Sequence, residues 1–195
     1  MNFLAHAYLS GNQPGILVGN MISDFVKGRK KLDYPVEIQK GIMHHRMIDG
    51  FTDMHPATTK SKKLFKPAYG LYAGAFMDVV YDHFLANDKN EFPVAEQLAD
   101  FSRGVYKTLN EYITILPERF RTMLPYMESH DWLYNYASLE GIRKGFAGLV
   151  HRAKYIHESE SAFQVLIDNY SYLNESYNKF FKDVKIYAAD QLALL

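Results

Sequence analysis

The chain has 195 residues, 48% of them apolar and 15% aromatic, which suits one folded core and excludes global disorder. It contains no cysteine, so disulfide staples and thiolate metal sites are excluded and any metal must bind nitrogen or oxygen. Net charge is zero but unevenly placed: residues 1–66 carry ten Lys/Arg against five Asp/Glu, and the remainder twelve against seventeen, which reads either as a field that steers an acidic partner to the first third or as an ordinary dipolar surface.

Prolines punctuate the chain, and Pro14, Pro35, Pro67, Pro93 and Pro117 each precede a stretch with apolar spacing of three and four. The spacing predicts helices over 2–10, 15–27, 36–50, 68–87, 93–112, 117–128, 138–156 and 160–181. Alternating strand patterns are scarce, and no repeat or long linker divides the chain. The expected architecture is all-α, one helical bundle formed by residues 1–195 as a single domain. The opening Met1-Asn2-Phe3-Leu4-Ala5-His6 has no basic leader, and no uncharged apolar run approaches the roughly 20 residues that span a bilayer. A cytoplasmic protein without a membrane partner is expected.

Taken in order, the first helices carry polar groups where core residues belong. The opening helix lines up Phe3, His6 and Leu9, and the second Leu17, Met21 and Asp24. The third runs Ile38, Ile42, His45, Asp49, an apolar row that ends in an imidazole and a carboxylate four residues apart. The fourth runs Leu71, Ala75, Asp78, Asp82, Leu85, with two carboxylates one turn apart in mid-stripe. Side chains at i and i+4 are neighbours, so each pair can aim at one point. Two buried like charges are costly unless a cation joins them. Four helices each delivering acid or imidazole from a buried face is how helical bundles build metal centres.

Each residue also has a plainer explanation. His6 alone suits a hydrogen-bonded core histidine, Asp24 a cap, and His45/Asp49 a helix-face hydrogen bond. Asp78 and Asp82 could each pair with an arginine such as Arg46. The metal reading rests on convergence, with five of the eight histidines lying before residue 84. His44 points about 100° away from His45 and reads as packing or support. Asp53 reads as a cap of the next helix; His55 belongs to the same turn. His130, His151 and His157 have no acidic partner at helical spacing. The runs Lys27–Lys31 and Lys60–Lys63 read as solvated loops. The aromatics are spread through the helices and form no base-stacking platform, so no nucleic-acid partner is expected.

Four blocks in this order resemble the acyl carrier protein phosphodiesterase family: Met1–His6, Gly19-Asn20-Met21-Ile22-Ser23-Asp24-Phe25, Gly41-Ile42 leading to His45-Arg46-Met47-Ile48-Asp49, and Asp78-Val79-Val80-Tyr81-Asp82-His83-Phe84-Leu85. Asp131-Trp132-Leu133 is a looser match. That family is a distant relative of the HD-domain metal phosphohydrolases, so the resemblance implies an HD-domain-like helical fold. It also implies hydrolysis of the phosphodiester that joins 4′-phosphopantetheine to a serine of holo-acyl carrier protein, an acidic protein substrate. The implied cofactor is a divalent metal, manganese foremost, with iron or magnesium as alternatives. Asp82-His83 reverses the usual His-Asp doublet, so a ligand set cannot be copied position by position.

Under this reading His45, Asp49, Asp78 and Asp82 form the inner metal set, and His6 and Asp24 complete or orient it, which gives Asp24 both a metal and a catalytic role. Arg46 is the expected clamp on a phosphate oxygen. His83 is expected to protonate the leaving serine oxygen or to support the site from behind. Two rival readings use the same residues: an HD-like hydrolase of a nucleotide or other small phosphoester, and a non-catalytic helical protein that binds the carrier.

Overall fold

A computed structural model describes residues 1–195 as helices joined by short turns, with no strand. The chain order is α1 Phe3–Leu9, α2 Pro14–Ile22, α3 Val36–Met54, α4 Pro56–Tyr69, α5 Ala73–Ala86, α6 Ala95–Glu111, α7 Glu118–Ser129, α8 Trp132–Asn135, α9 Leu139–Arg152, α10 Glu160–Asp168 and α11 Tyr170–Leu194. Short 3₁₀ turns fill Ser23–Phe25, Gly28–Asp33, Gly70–Tyr72 and Ile113–Ile115. The bundle is all-α and has one hydrophobic core, as the spacing predicts. No helix is long and apolar enough to cross a membrane.

α5 is the axis of that core. Phe76, Met77, Val79, Val80, Tyr81, Phe84 and Leu85 are all buried, so the helix is covered on nearly every side. α4, α9 and α11 close around it: Phe76 packs between Phe65 of α4 and Phe146 of α9, and Tyr81 stacks on Phe180 of α11 at 4.6 Å. His44 bonds through Nε2 to the Ala188 carbonyl and through Nδ1 to Asn20, so it ties α3 to α11 and α2 and serves packing, as expected.

α2 and α3 cross at backbone distance. A Cβ on Gly19 would lie 2.3 Å from the Ile38 carbonyl oxygen, and one on Gly41 the same distance from that of Ile16. Only glycine permits this approach, and it brings α2 against the N-terminal part of α3.

Several boundaries depart from expectation. The second helix stops at Ile22, and a 3₁₀ turn carries Asp24. Residues 56–69 form α4, a helix that the spacing did not announce; Pro56 sits at its first turn, and the side chain of His55, rather than that of Asp53, caps it by accepting from Ala57 N–H. Lys60–Lys63 therefore lies on a helix and not in a loop. Pro67 falls inside the last turn of α4 instead of opening the next helix. The break comes at Gly70, whose φ of +52° suits glycine, so α5 starts at Ala73 and Leu71 is fully exposed rather than part of its stripe. The expected last helix is two, α10 and α11, divided at Asn169.

Candidate metal centre

α1 and α3 supply the centre. His6 lies on the buried face of α1, and His45 and Asp49 stand one turn apart on α3. The two imidazoles stack with centroids 3.7 Å apart and planes 14° apart. Asp49 bridges them: Oδ1 lies 3.0 Å from His6 Nε2 and Oδ2 lies 3.1 Å from His45 Nε2. One ligand atom from each residue lies within 4.8 Å of the other two, close enough to share a divalent cation.

The donors are oriented by protein on the far side. His45 Nδ1 donates to the Asn20 carbonyl at 2.9 Å, which fixes the tautomer and turns Nε2 toward the centre. The α2–α3 crossing at Gly19 and Gly41 delivers that carbonyl. His45 Nε2 and His6 Nδ1 are buried without a well-directed hydrogen bond, although Asp24 Oδ1 stands 3.3 Å from the former. A buried orphan nitrogen on His45 beside two carboxylates suits a cation, and mixed imidazole and carboxylate donors suit manganese, iron or magnesium.

The electrostatics of the site agree. Burial, then the adjacent His45, hold the His6 imidazole down to about 3. Burial acts the same way on His45, but the Asp24 and Asp49 carboxylates override it and push the ring up to about 9. Burial opposes ionisation of Asp49, yet the N-terminal ammonium and the two imidazoles keep it far below the carboxylate range. The pocket thus gathers negative charge and holds positive charge against it.

Asp78 and Asp82 part company. Asp78 is half-buried at the rim of the centre, with Oδ1 3.1 Å from the Met1 ammonium, which also lies 3.2 Å from Asp49 Oδ1. Burial raises the Asp78 carboxyl above its ordinary value. Asp82 turns away. Its carboxylate accepts from the backbone N–H groups of Asn2 at 3.3 Å, Leu4 at 2.7 Å and Ala5 at 3.2 Å, which are orphan donors at the start of α1. Asp82 is thus a cap reaching in from another helix, and its oxygens are taken up by α1 rather than offered to a metal. Its burial pushes the carboxyl up to about 7 against the pull of those donors.

Two further expectations change. His83 is buried with both ring nitrogens committed, Nδ1 to the Tyr136 carbonyl at 2.7 Å and Nε2 to the Tyr170 hydroxyl at 2.8 Å, so it joins α5 to the C-terminal half and has no free nitrogen for a leaving group. Arg46 is exposed and donates through Nη2 to the Val26 carbonyl at 2.9 Å; it braces the turn that carries Asp24. The basic groups Lys27, Arg119 and Arg152 line one cleft with Asp24 and Asp78, the two carboxylates at the edge of the centre. No local signal in the sequence marks Arg119 and Arg152, because they come from α7 and α9, far along the chain, and lie on polar faces that look like any solvated surface. His130, His151 and His157 are exposed and belong to no group of metal-ligating side chains.

Comparison with known proteins agrees with this geometry. The family model described as acyl carrier protein phosphodiesterase matches residues 1–184. A Yersinia pestis protein named acyl carrier protein phosphodiesterase is 31% identical over 181 residues, 93% of this chain and 94% of its own. Proteins of the same name from Photorhabdus laumondii and Klebsiella pneumoniae are 28% and 30% identical; both matches cover 93% of this chain, with 91% and 94% of theirs. No solved structure matches the chain. The chain belongs to the acyl carrier protein phosphodiesterase family.

Proposed function

We propose that this chain hydrolyses the phosphodiester between 4′-phosphopantetheine and the serine of a holo-acyl carrier protein, using a divalent cation held by His6, His45 and Asp49. The convergence of the His6 and His45 Nε2 atoms on the Asp49 carboxylate, with His45 Nε2 buried and lacking a well-directed hydrogen bond, in a chain of this family, carries the reading. Asp24 steadies the His45 ring from the solvent side, and Asp78 stands at the rim. A bound divalent ion polarises a phosphoryl oxygen and lowers the pKa of its own water. The chain's own groups do the rest. Lys27, Arg119 and Arg152 offset the phosphate charge across the cleft. Asp78, raised by burial, is suited to take a proton from the attacking water. Net, water oxygen bonds to phosphorus, the bond from phosphorus to the serine oxygen breaks, and that oxygen gains a proton, leaving apo-carrier and free phosphopantetheine.

The lysine runs fit an acidic carrier. Lys27 lines the cleft containing Asp24 and Asp78, and Lys62, Lys63 and Lys66 of α4 line a second depression that meets Asp78 from the other side. Basic groups on both flanks of the reaction point suit an acidic protein arriving there, in the cytoplasm where the carrier works. Manganese is the first choice of cation; iron and magnesium are the alternatives.

Mass spectrometry of holo-carrier after incubation with the protein and manganese tests the reading. Loss of the phosphopantetheine mass, prevented by a chelator, is expected. Carrier left intact under manganese, iron and magnesium alike overturns it, and turnover of small phosphoesters with intact carrier favours the nucleotide-type reading instead. Lys63→Glu with Lys66→Glu is expected to raise KM for the carrier and flatten its salt dependence; an unchanged KM removes the docking face.

A further inference from the structure

A second cavity opens beside the metal centre, and nothing in the reaction described so far uses it. It has a volume of about 460 Å³ and lies between α8–α9 and the start of α1, with Asn2, Phe3, Trp132, Tyr136, Gly148 and Arg152 among its walls. Asn2, Phe3 and Arg152 also line the cleft that contains Asp24 and Asp78, so the two spaces meet. A linear molecule with its phosphate at the metal can therefore continue past Arg152 into this cavity. The size falls in the range of roughly 300–1,000 Å³ usual for small-ligand sites.

The lining chemistry narrows the occupant. Arg152 makes no ion pair or hydrogen bond within the protein and stands where the two spaces join, a position that suits a phosphate oxygen. Beyond it the walls offer neutral polar groups together with two charges already engaged within the protein, Asp131, which accepts from the Ser102 hydroxyl and the Tyr134 N–H, and Lys144, which pairs with Glu140. Asn2 donates through Nδ2 to the Tyr136 hydroxyl at 3.0 Å, which leaves its carbonyl oxygen for an amide N–H. Trp132 adds a half-buried aromatic face. A Cβ built on Gly148 would meet only Arg152 Nη1, at 3.5 Å, so the floor of the cavity is open at that position. An uncharged, extended chain carrying amides and a hydroxyl, attached to a phosphate, matches this order of groups.

We infer that this cavity is the binding site for the pantetheine arm of the substrate, with Arg152 at the phosphate end and Trp132 along the chain. The inference rests on the phosphodiesterase reading above for the position of the phosphate. It divides the substrate in two: the carrier protein lies on the lysine-bearing side of the centre, and its prosthetic arm on the α8–α9 side. Gly148 then serves specificity, because any larger side chain at that point on α9 takes up the space.

Trp132 is the single tryptophan of the chain, so its emission reports the cavity directly. The test is titration of the metal-free protein with pantetheine, 4′-phosphopantetheine, adenosine monophosphate and inorganic phosphate. Saturable emission changes are expected with the first two only. Gly148→Leu replaces a helical glycine with a better helix former, and is expected to weaken pantetheine binding and raise KM for holo-carrier by about tenfold or more at equal metal content. No emission change with pantetheine, an equal change with phosphate or the nucleotide, or wild-type binding by Gly148→Leu overturns the assignment. A wild-type protein that leaves holo-carrier intact defeats the phosphodiesterase reading. One that cleaves holo-carrier while Trp132 stays silent to pantetheine defeats only the arm site.

Discussion

α3 and α5 carry the same device with opposite outcomes. Each places two ionisable groups four residues apart on a face that begins apolar: His45 and Asp49 on α3, Asp78 and Asp82 on α5. On α3 both reach one point, because the stacked His6 ring comes from α1 and the Asn20 carbonyl holds His45 from behind. On α5 the pair is divided. Asp78 stays at the rim of the centre, while Asp82, one turn further into the core, meets the N-terminal amides of α1. The spacing fixes a shared face; the element packed on that face decides whether a carboxylate finds a metal site or a row of N–H donors.

Variants can break this contrast. The largest effect is expected at the α3 end: His45→Ala or Asp49→Ala should lower metal-dependent turnover by about a thousandfold, since a metal contributes several kcal/mol of charge stabilisation, and isothermal titration should show manganese binding lost. Retained metal binding in both variants would empty the α3 site of meaning. Asp82→Ala should act on stability instead, costing about 2–4 kcal/mol in chemical denaturation by stranding buried N–H groups of α1. A normal denaturation midpoint with lost metal binding would reverse the roles of the two helices.

Smaller effects sharpen the comparison. Gly41→Ala should force α2 and α3 apart, costing about 1–3 kcal/mol, and should weaken metal affinity because His45 loses its Asn20 support. Equal stability and affinity would show that the close crossing is not what positions the ring. The smallest effect concerns His83, on the same helix as Asp82. Burial holds its imidazole below the ordinary 6.5, and its two partners suit the neutral ring. The unfolded chain then binds the proton more readily, so stability is full above pH 6.5 and falls as pH drops below it toward the folded value. Denaturation midpoints of His83→Gln, measured against pH in chelator, should show a shallower acid decline than the parent. An unchanged slope would assign that decline to other groups.

Much of this was legible from periodicity. The all-helical class followed from apolar spacing of three and four, and the polar interruptions at His6, His45 and Asp49 marked the residues that converge. α4 was not legible, because Lys60, Lys62, Lys63 and Lys66 mask a short buried face of Thr58, Ser61 and Phe65. The start of α5 is not legible either, because Pro67 looks like an initiator in sequence, whereas the positive φ of Gly70 makes the break. Arg119 and Arg152 carry no local mark at all; only the packing of α7 and α9 beside α1 brings them to the cleft.

The sequence by itself determined the helical class, which faces of the first three helices carry acids and imidazoles, and that no thiolate takes part, since these depend on residue type and on a helical period that is local. Tertiary structure decided which of those groups share a point. Helix pairing, set here by the glycine contact of α2 on α3 and by the amides of α1 against α5, brings together residues distant in the chain, and a hydrogen bond or metal contact needs atoms within about 3 Å, a tolerance that no spacing rule along one helix can specify.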